Sequence, residues 1–478
     1  MSRDRRRVEP FFAAGEGDAA RRLLLLSPHF PPGTAAGALR WQKLARHAAD
    51  RGFGLDVLAY APAELERPDA SRLAELPKGT RVFGVPRRPL ALERAEKRAL
   101  AVRDALRARP RAGPPGAGAD LAAGAPRAVA QAQADAAASS RRPWVRAYDA
   151  AMEYARHGRW ARDAATLAGR IHEPGVHVAV VSCGPPHMVH EGGRLAAERC
   201  RLPLVVDMRD PWRLTDRLTD DVDSPLWHRL AARYEPRVVA RADLVVMNTP
   251  QARDAMRAAY PARAARIVAV LNGWDEEPAL PPAAPDGRFL VAFVGTVYLD
   301  RDPRPFFRAA ARVVRELRLD PRAFGIEFLG HVDAPRGVSC TALAAAEGLA
   351  PYFAARPPAP RREALALMAR ATLLLNLPQG LPKAIPSKVY EYMTSPAWVL
   401  ALAEAGSATA WVMREAGADV VAPGDVDGIA AVLRERIEQH RRGTRPVPLA
   451  RDARFSRRAQ AGRLFDALER VLAGAPPA

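Results

Sequence analysis

Cysteine is scarce in this sequence. Cys183, Cys200 and Cys340 are its only three thiols in 478 residues, and they show neither C-x-x-C nor any other metal-ligand spacing. Three thiols cannot all pair within one chain, so a disulfide scaffold is excluded and a reducing compartment, the cytoplasm, is the expected setting. Lysine is rarer than a basic protein would suggest, with five among the 72 basic residues. Long apolar runs are missing too. The longest candidate, around Trp398 to Met413, is interrupted by Glu404 and falls short of the roughly 18 residues a membrane span needs. The opening MSRDRRRVEPFF is basic, but AAGEGDAARR follows where a signal peptide needs about 7–15 apolar residues. Residues 1–20 are therefore expected to form a disordered basic tail.

What is present describes a folded, multi-domain chain. Hydrophobic residues make up 49% and charged residues 26%, close to globular averages, and the length allows two to four domains. The net charge of +19 raises the question of polyanion binding. Its make-up, almost all arginine beside 44 prolines and abundant alanine, is what a GC-rich coding bias produces, so nucleic-acid binding is not expected.

Along the chain, short apolar strands alternate with helical patterns. Arg22–Leu26 stops at SPHFPPG, a helical pattern runs from Ala38 to Asp50, and Gly54–Tyr60 reads as a second strand. Val178–Ser182, Leu204–Asp207 and Asp243–Asn248 continue the series, as an open parallel sheet requires. Residues 108–142 are low in complexity and in large apolar side chains, so they predict a disordered insertion within an N-terminal domain of residues 21–275. A basic helix follows it, with Trp144, Tyr148, Met152 and Ala155 at helical spacing, an aromatic stripe that would pack against the domain or, as the alternative, meet a membrane surface. A Pro-rich linker, residues 276–287, leads into a second domain, 288–478, where FLVAFVG, FGIEFLG, ATLLLNL, AWVLALA and ADVVAP read as buried strands. The fold class is α/β, with two facing Rossmann-like domains built on parallel sheets and a cleft between them.

In such sheets ligands bind at the carboxyl ends of strands, which singles out four loops. SPHFPPGTAAGALR offers Gly33 and Gly37 for close backbone approach, with Arg40 entering the helix. VVDMRDPWR brings Asp207, Arg209 and Asp210 to one strand end. FVGTVYLDRDP closes a strand at Gly295 and Thr296, with Arg301 placed to reach a phosphate. LPKAIPSKVYEYM holds two of the five lysines, Lys383 and Lys388, with Ser387 expected to cap a helix starting at Lys388 and Glu391 one turn further on, able to accept hydrogen bonds from a ribose diol. His187, His190 and Glu191 do not have a zinc spacing, and no G-x-S-x-G elbow is present, so neither a metal centre nor a hydrolase triad is expected.

Taken in order, these loops resemble the two-domain GT-B glycosyltransferases, above all the retaining family-four branch that uses nucleotide sugars. HFPPGTAAGALRWQKLARHAADRGFGLDVLA, LPLVVDMRDPW and AVLNGWD resemble its N-domain landmarks. FVGTVYLDRDPRPFFRAA, IPSKVYEYM and REAGADVVAPGDVDGIAAVL resemble those of its C-domain, so the likeness covers nearly the whole chain, and the last helix is expected to pack back on the N-terminal domain.

The resemblance implies transfer of a sugar, of hexosyl type, from a nucleotide-diphosphate donor to an acceptor hydroxyl with retention, in bacterial polysaccharide or glycolipid biosynthesis. It places Arg301 and Lys388 on the donor diphosphate, Glu391 on the nucleotide ribose, and Gly33, Gly37, Gly295, Thr296 and Ser387 along the donor. Arg209 and Asp210 would border the sugar and acceptor. No cofactor and no metal are implied, because cationic side chains meet the leaving-group charge. The chain departs from the family pattern at Thr296, where arginine is common, at Lys383, where the first of two glutamates is usual, and at Arg209, Pro396 and Trp398. A sugar-nucleotide epimerase of the same fold, using Asp210 and His187, and an inactive nucleotide-sugar-binding homologue are the alternatives. A glycan or lipid-linked acceptor would draw the protein to the inner face of an anionic membrane. Arg141, Arg142, Arg146, Arg156, Arg159 and Arg162, around Trp144, Tyr148, Tyr154 and Trp160, are the expected contact.

Overall fold

The computed structural model describes all residues except 1–7, 16, 18, 36, 67, 96, 97, 99, 101–142, 217, 219, 220, 276–286, 298–300, 333–338 and 478. The insertion at 108–142, most of the linker at 276–287 and the start of the basic tail thus lie outside the described residues. The chain divides into two compact units, residues 1–208 with 219–243 and residues 209–218 with 244–478.

The first unit contains β1 (Phe12–Ala13), β2 (Arg21–Leu26), α1 (Ala38–Asp50), β3 (Phe53–Tyr60), α2 (Ser71–Ala74), β4 (Thr80–Val85), α3 (Pro143–Ile171), β5 (His177–Gly184), α4 (Met188–Cys200), β6 (Leu204–Met208) and α5 (Pro225–Arg241). Its strands lie in the order β1-β4-β3-β2-β5-β6. All neighbours are parallel except β1, which joins β4 antiparallel with Phe12 opposite Val82. That pairing corrects the expectation of disorder through residue 20: the backbone of Phe11 to Ala14 finds partners on β4, which the local sequence alone does not reveal.

The second unit begins with a parallel pair, β7 (Leu244–Met247) and β8 (Ile267–Ala269), joined by α6 (Pro250–Ala259). It continues with β9 (Phe289–Thr296), α7 (Arg304–Glu316), β10 (Phe324–His331), α8 (Cys340–Ala346), β11 (Phe353–Arg356), α9 (Arg361–Arg370), β12 (Leu373–Asn376), α10 (Ser387–Met393), β13 (Trp398–Leu402), α11 (Ala408–Ala416), β14 (Asp419–Val421), α12 (Val426–Arg441) and α13 (Arg457–Leu472). Six of these strands form an all-parallel sheet in the order β11-β10-β9-β12-β13-β14.

The continuous apolar run of β9 is explained by burial on both faces. Phe289, Val291 and Phe293 point into one core with Phe306, Phe307, Phe328 and Leu433. The alternate residues Leu290, Ala292 and Val294 point into a second core with Leu367, Met368, Tyr392 and Met393, as the two-residue period of a strand dictates. β14 differs from its reading as a buried strand: all three residues are half-buried, because it is the edge of the sheet and has a neighbour on one side only.

The long helix α3 packs against its domain, but through only part of its aromatic set. Tyr154 and Trp160, 7% and 3% exposed, join the core with Met152 and a row of alanines, whereas Trp144 is 66% exposed and Tyr148 37%. The aromatic residues therefore occupy two faces of the helix and do not form one stripe. Arg156 pairs with Glu93 at 2.5 Å, Arg159 donates to the Pro89 carbonyl at 3.3 Å and Arg162 Nε donates to the Gly158 carbonyl at 3.1 Å, so three of the six arginines assigned to a membrane surface are engaged by the protein. Arg141 and Arg142 lie outside the described residues.

Candidate functional site

In the second unit, candidate groups gather where β9 and β10 end and α10 begins. Gly295 and Gly330 sit opposite each other in the register of the two strands, and both have positive φ, +158° and +135°. A side chain on Gly330 would strike the Gly295 carbonyl, so glycine is required for the strands to close this tightly. Beyond Gly295 the chain turns, and the Arg301 guanidinium donates to the Thr296 carbonyl at 2.9 Å. Thr296 thus contributes its backbone to placing the arginine.

Tyr392 fixes α10 against this strand end. Its hydroxyl accepts from the Val294 N–H at 2.9 Å and lies 3.3 Å from the Val294 carbonyl. Burial raises the Tyr392 phenol above the usual range, and it feels both the Glu391 carboxylate and the Arg301 guanidinium. Arg301 and Glu391 are therefore brought into one electrostatic neighbourhood. One Glu391 oxygen accepts from Lys388 Nζ at 2.7 Å and the other from Arg361 Nη1 at 2.7 Å. Burial pushes the Glu391 carboxyl up, but the Lys388 ammonium and the Arg361 guanidinium outweigh it and hold the group below the ordinary carboxylate range. Its side chain remains 22% exposed, with Lys388 at 32% and Arg361 at 59%.

Ser387 does not cap this helix. It is the first helical residue, Pro386 occupies the cap position in an extended conformation, and no side chain caps the end. The fixed φ of proline already sets the entry into the helix, which moves the boundary one residue ahead of the expected one.

Lys383 reaches the loop after β6. Its ammonium bonds the Leu214 carbonyl at 3.1 Å and pairs with Asp216. Thr249 accepts the Ala252 N–H as the cap of α6 and donates to the Lys383 carbonyl at 2.6 Å. Segments 209–218 and 381–386 are thereby tied together. Arg209 and Asp210 lie half-buried in the first of these segments.

Sequence reasoning missed three polar groups here. Asn248, Asn376 and Gln379 are 6%, 6% and 7% exposed, and the side-chain oxygen of each has no hydrogen-bond partner among the described residues. Asn248 and Asn376 directly follow or end a parallel strand, where ligands bind in such sheets, and a buried acceptor without a donor costs about 1–3 kcal/mol. An amide interrupting an otherwise aliphatic strand, as in LLLNLPQG, is the signal that could have found them.

In the first unit, the predicted convergence of charge after β6 is only partly realised. Asp207 is fully buried and accepts from Arg40 Nε at 2.8 Å and Trp41 Nε1 at 2.8 Å, so it anchors the first turn of α1. Gly33 offers its carbonyl to Arg72 at 2.5 Å. Gly37 precedes α1 with ordinary helical angles, φ −62° and ψ −24°, which do not require glycine.

A second cluster went unread in the sequence. At the end of β3 the Tyr60 hydroxyl lies 3.3 Å from His157 Nδ1, His29 and Trp160 meet the Tyr60 ring edge-on at 5.7 and 5.4 Å, and the Arg87 guanidinium lies over it at 5.2 Å. Burial, with the positive charge of Arg87 behind it, lowers His157 to about 4. One turn away on α3, burial and the neighbouring Asp221 charge raise Glu153 to about 6. Among the described residues no cluster of His, Cys, Asp and Glu is arranged to hold a metal ion.

No protein-family model matches the chain, and no curated protein sequence matches it. Its fold is that of the GT-B glycosyltransferases. Sucrose-phosphate synthase from Thermosynechococcus elongatus superimposes with a TM-score of 0.58 at 12% identity, covering 95% of this chain and 100% of that one. Anabaena HepE, solved in complex with UDP-glucose, gives 0.53 at 14% identity over 94% and 99%. The lipopolysaccharide outer core galactosyltransferase WaaB gives 0.51 at 10% identity over 93% and 99%.

Proposed function

We propose that this protein is a glycosyltransferase that moves a sugar, of hexosyl type, from a nucleotide-diphosphate donor to an acceptor hydroxyl with retention of configuration. The observation that carries the reading is the set of Arg301, Lys388, Glu391 and Arg361 at the strand ends of a GT-B sheet, cationic yet built around one carboxylate. Glu391 accepts from the donor ribose, and Lys388 and Arg361 release it to do so. Arg301 and Lys388 then stabilise the diphosphate as the bond from the anomeric carbon to its phosphate oxygen breaks and the electron pair departs with the phosphate. The acceptor oxygen forms the new bond to that carbon, and its proton passes to the departing phosphate. Cationic side chains meet this charge, so the reading calls for no divalent metal.

The orphaned oxygens of Asn248, Asn376 and Gln379 support a ligand rich in hydroxyl donors. Gly33, Gly37, Gly295, Thr296 and Ser387 remain assigned to the donor, and Arg209 and Asp210 to the sugar and acceptor. The acceptor is a glycan or a lipid-linked sugar of polysaccharide or glycolipid assembly, handled in the cytoplasm. Attachment at the inner membrane face would use the exposed Trp144 and Tyr148 at the start of α3. Incubation with a panel of nucleotide sugars, with and without a chelator, tests the reading. Transfer or slow donor hydrolysis with at least one of them, unaffected by the chelator, is expected. Neither with any donor overturns it.

A further inference from the structure

Away from the strand ends just described, the second unit has a cleft of about 310 Å3 between α6, β8 and α13. Its walls carry Arg253 and Arg257 from α6 and Arg463 and Arg470 from α13, against the single carboxylate of Asp466, and its floor is residues 268–270. The helical repeat makes this convergence possible: 253 and 257 are one turn apart, 463 and 470 are two, so each pair shares one face of its helix. The walls are fixed to one another. Gln460 on α13 accepts the Leu271 N–H just past β8 at 2.8 Å, and Arg457 pairs with Asp275 at 2.5 Å.

The state of each guanidinium matters. Arg253 is paired with Asp254 at 2.7 Å. Arg257 gives its Nε to the Ile267 carbonyl at 2.9 Å, which aims the fork while leaving its two terminal nitrogens. The side chains of Arg463 and Arg470 make no hydrogen bond or ion pair among the described residues. With Arg253 neutralised by Asp254, the charges of Arg257, Arg463 and Arg470 outnumber the Asp466 carboxylate around one concavity, and they repel one another unless an anion joins them. An abundance of arginine accounts for scattered surface charge, but not for four of them facing one cleft with an apolar floor.

We propose that this cleft is a binding site for a phosphate-bearing ligand, separate from the donor site. Planar guanidinium forks pair with phosphate oxygens two at a time, and the volume lies at the lower end of small-molecule pockets, which suits a phosphoryl or diphosphoryl group and not a nucleic-acid strand. The phosphate is carried by a soluble metabolite or by a lipid headgroup, and the test distinguishes the two.

Calorimetric titration of the full-length protein with inorganic pyrophosphate, and sedimentation with vesicles of phosphatidylglycerol in phosphatidylcholine or of phosphatidylcholine alone, form its two arms. Arg463→Gln/Arg470→Gln, both exposed positions, should weaken one of them roughly 10- to 100-fold, as loss of charge-assisted hydrogen bonds does. Because the proposed donor site also takes a diphosphate, pyrophosphate is expected at two sites, and Lys388→Ala should weaken only the binding event that the double arginine variant leaves intact, so failure of one site does not imply failure of the other. Loss of pyrophosphate binding assigns a soluble ligand, and loss of binding to phosphatidylglycerol vesicles assigns a headgroup. If the double variant matches wild type in both arms, or if Arg315→Gln/Arg322→Gln outside the cleft produces the same loss, the proposal is wrong.

Discussion

Asp56 and Glu391 are both carboxylates held by basic side chains, and the difference between them separates structure from chemistry. Asp56 lies on β3, away from the carboxyl ends of the strands, and is fully buried. It accepts from Arg22 at 2.5 Å, from Arg81 at 2.7 Å and from His177 Nε2 at 2.8 Å. The Glu173 N–H occupies His177 Nδ1 at 2.9 Å, so the proton on that ring sits on Nε2 and points at Asp56. Burial alone would raise the Asp56 carboxyl, but Arg81, His177 and Arg22 drive it far below the carboxylate range. Every partner is committed, and the arrangement knots four neighbouring strands. Glu391 has two partners, both on more exposed side chains, and sits where strands end. A closed ion network holds a fold, whereas a partly open one can exchange its partners for a ligand.

The comparison breaks most visibly at Asp56. Replacing it with alanine leaves the buried His177 and two half-buried guanidinium groups without their anion, so urea denaturation should show a loss of about 3–5 kcal/mol, whereas Glu391→Ala should change stability by less than about 1 kcal/mol. Equal losses would erase the distinction. The next largest effect is expected at Arg301. Its charge is needed most as the diphosphate departs, so Arg301→Ala should lower kcat by about 10²–10³-fold, and a rise in donor KM with kcat intact would contradict the leaving-group role.

Glu391→Ala sharpens the comparison from the other side. Losing the ribose acceptor should weaken donor binding by roughly tenfold, about 1.4 kcal/mol, in a direct nucleotide-sugar titration. An effect of similar size concerns pH. His157 titrates near 4 in the folded chain against 6.5 as the ordinary value, so the unfolded chain takes up its proton first on acidification. Stability from this group is complete above pH 6.5 and is lost as pH falls through about 4. With partial exposure allowed for, the loss is about 1–2 kcal/mol. His157→Gln should flatten that part of a plot of Tm against pH, and an unchanged slope would show that His157 does not cause it.

Much of the fold was legible because its signal is local. The bounds of α1, Ala38–Asp50, follow from apolar spacing, and β9 and β12 follow from runs that only a doubly covered strand needs. The strands β4, β8 and β11 were missed: each is at or near a sheet edge, and β8 and β11 are only three and four residues long. The candidate site was half legible. Lys388 and Glu391 stand out by residue type and spacing, but the role of Arg361 depends on a contact 30 residues away. The same holds for Asp207, read as part of an open polar site and found locked to Arg40 across 167 residues of chain.

The sequence by itself determined the alternation of strands and helices, the parallel character of the sheets and the loops at which chemistry would sit, since these depend on the periodicity and type of neighbouring residues. Only the tertiary structure decided which charges are spent on one another and which remain available. It set Tyr154 and Trp160 inside while leaving Trp144 out, left Asn376 and Gln379 with unpaired oxygens, and turned arginines of α6 and α13 toward one cleft. These outcomes depend on which side chains meet across distant segments, and electrostatic and hydrogen-bond energies follow that distance and burial, not position in the chain.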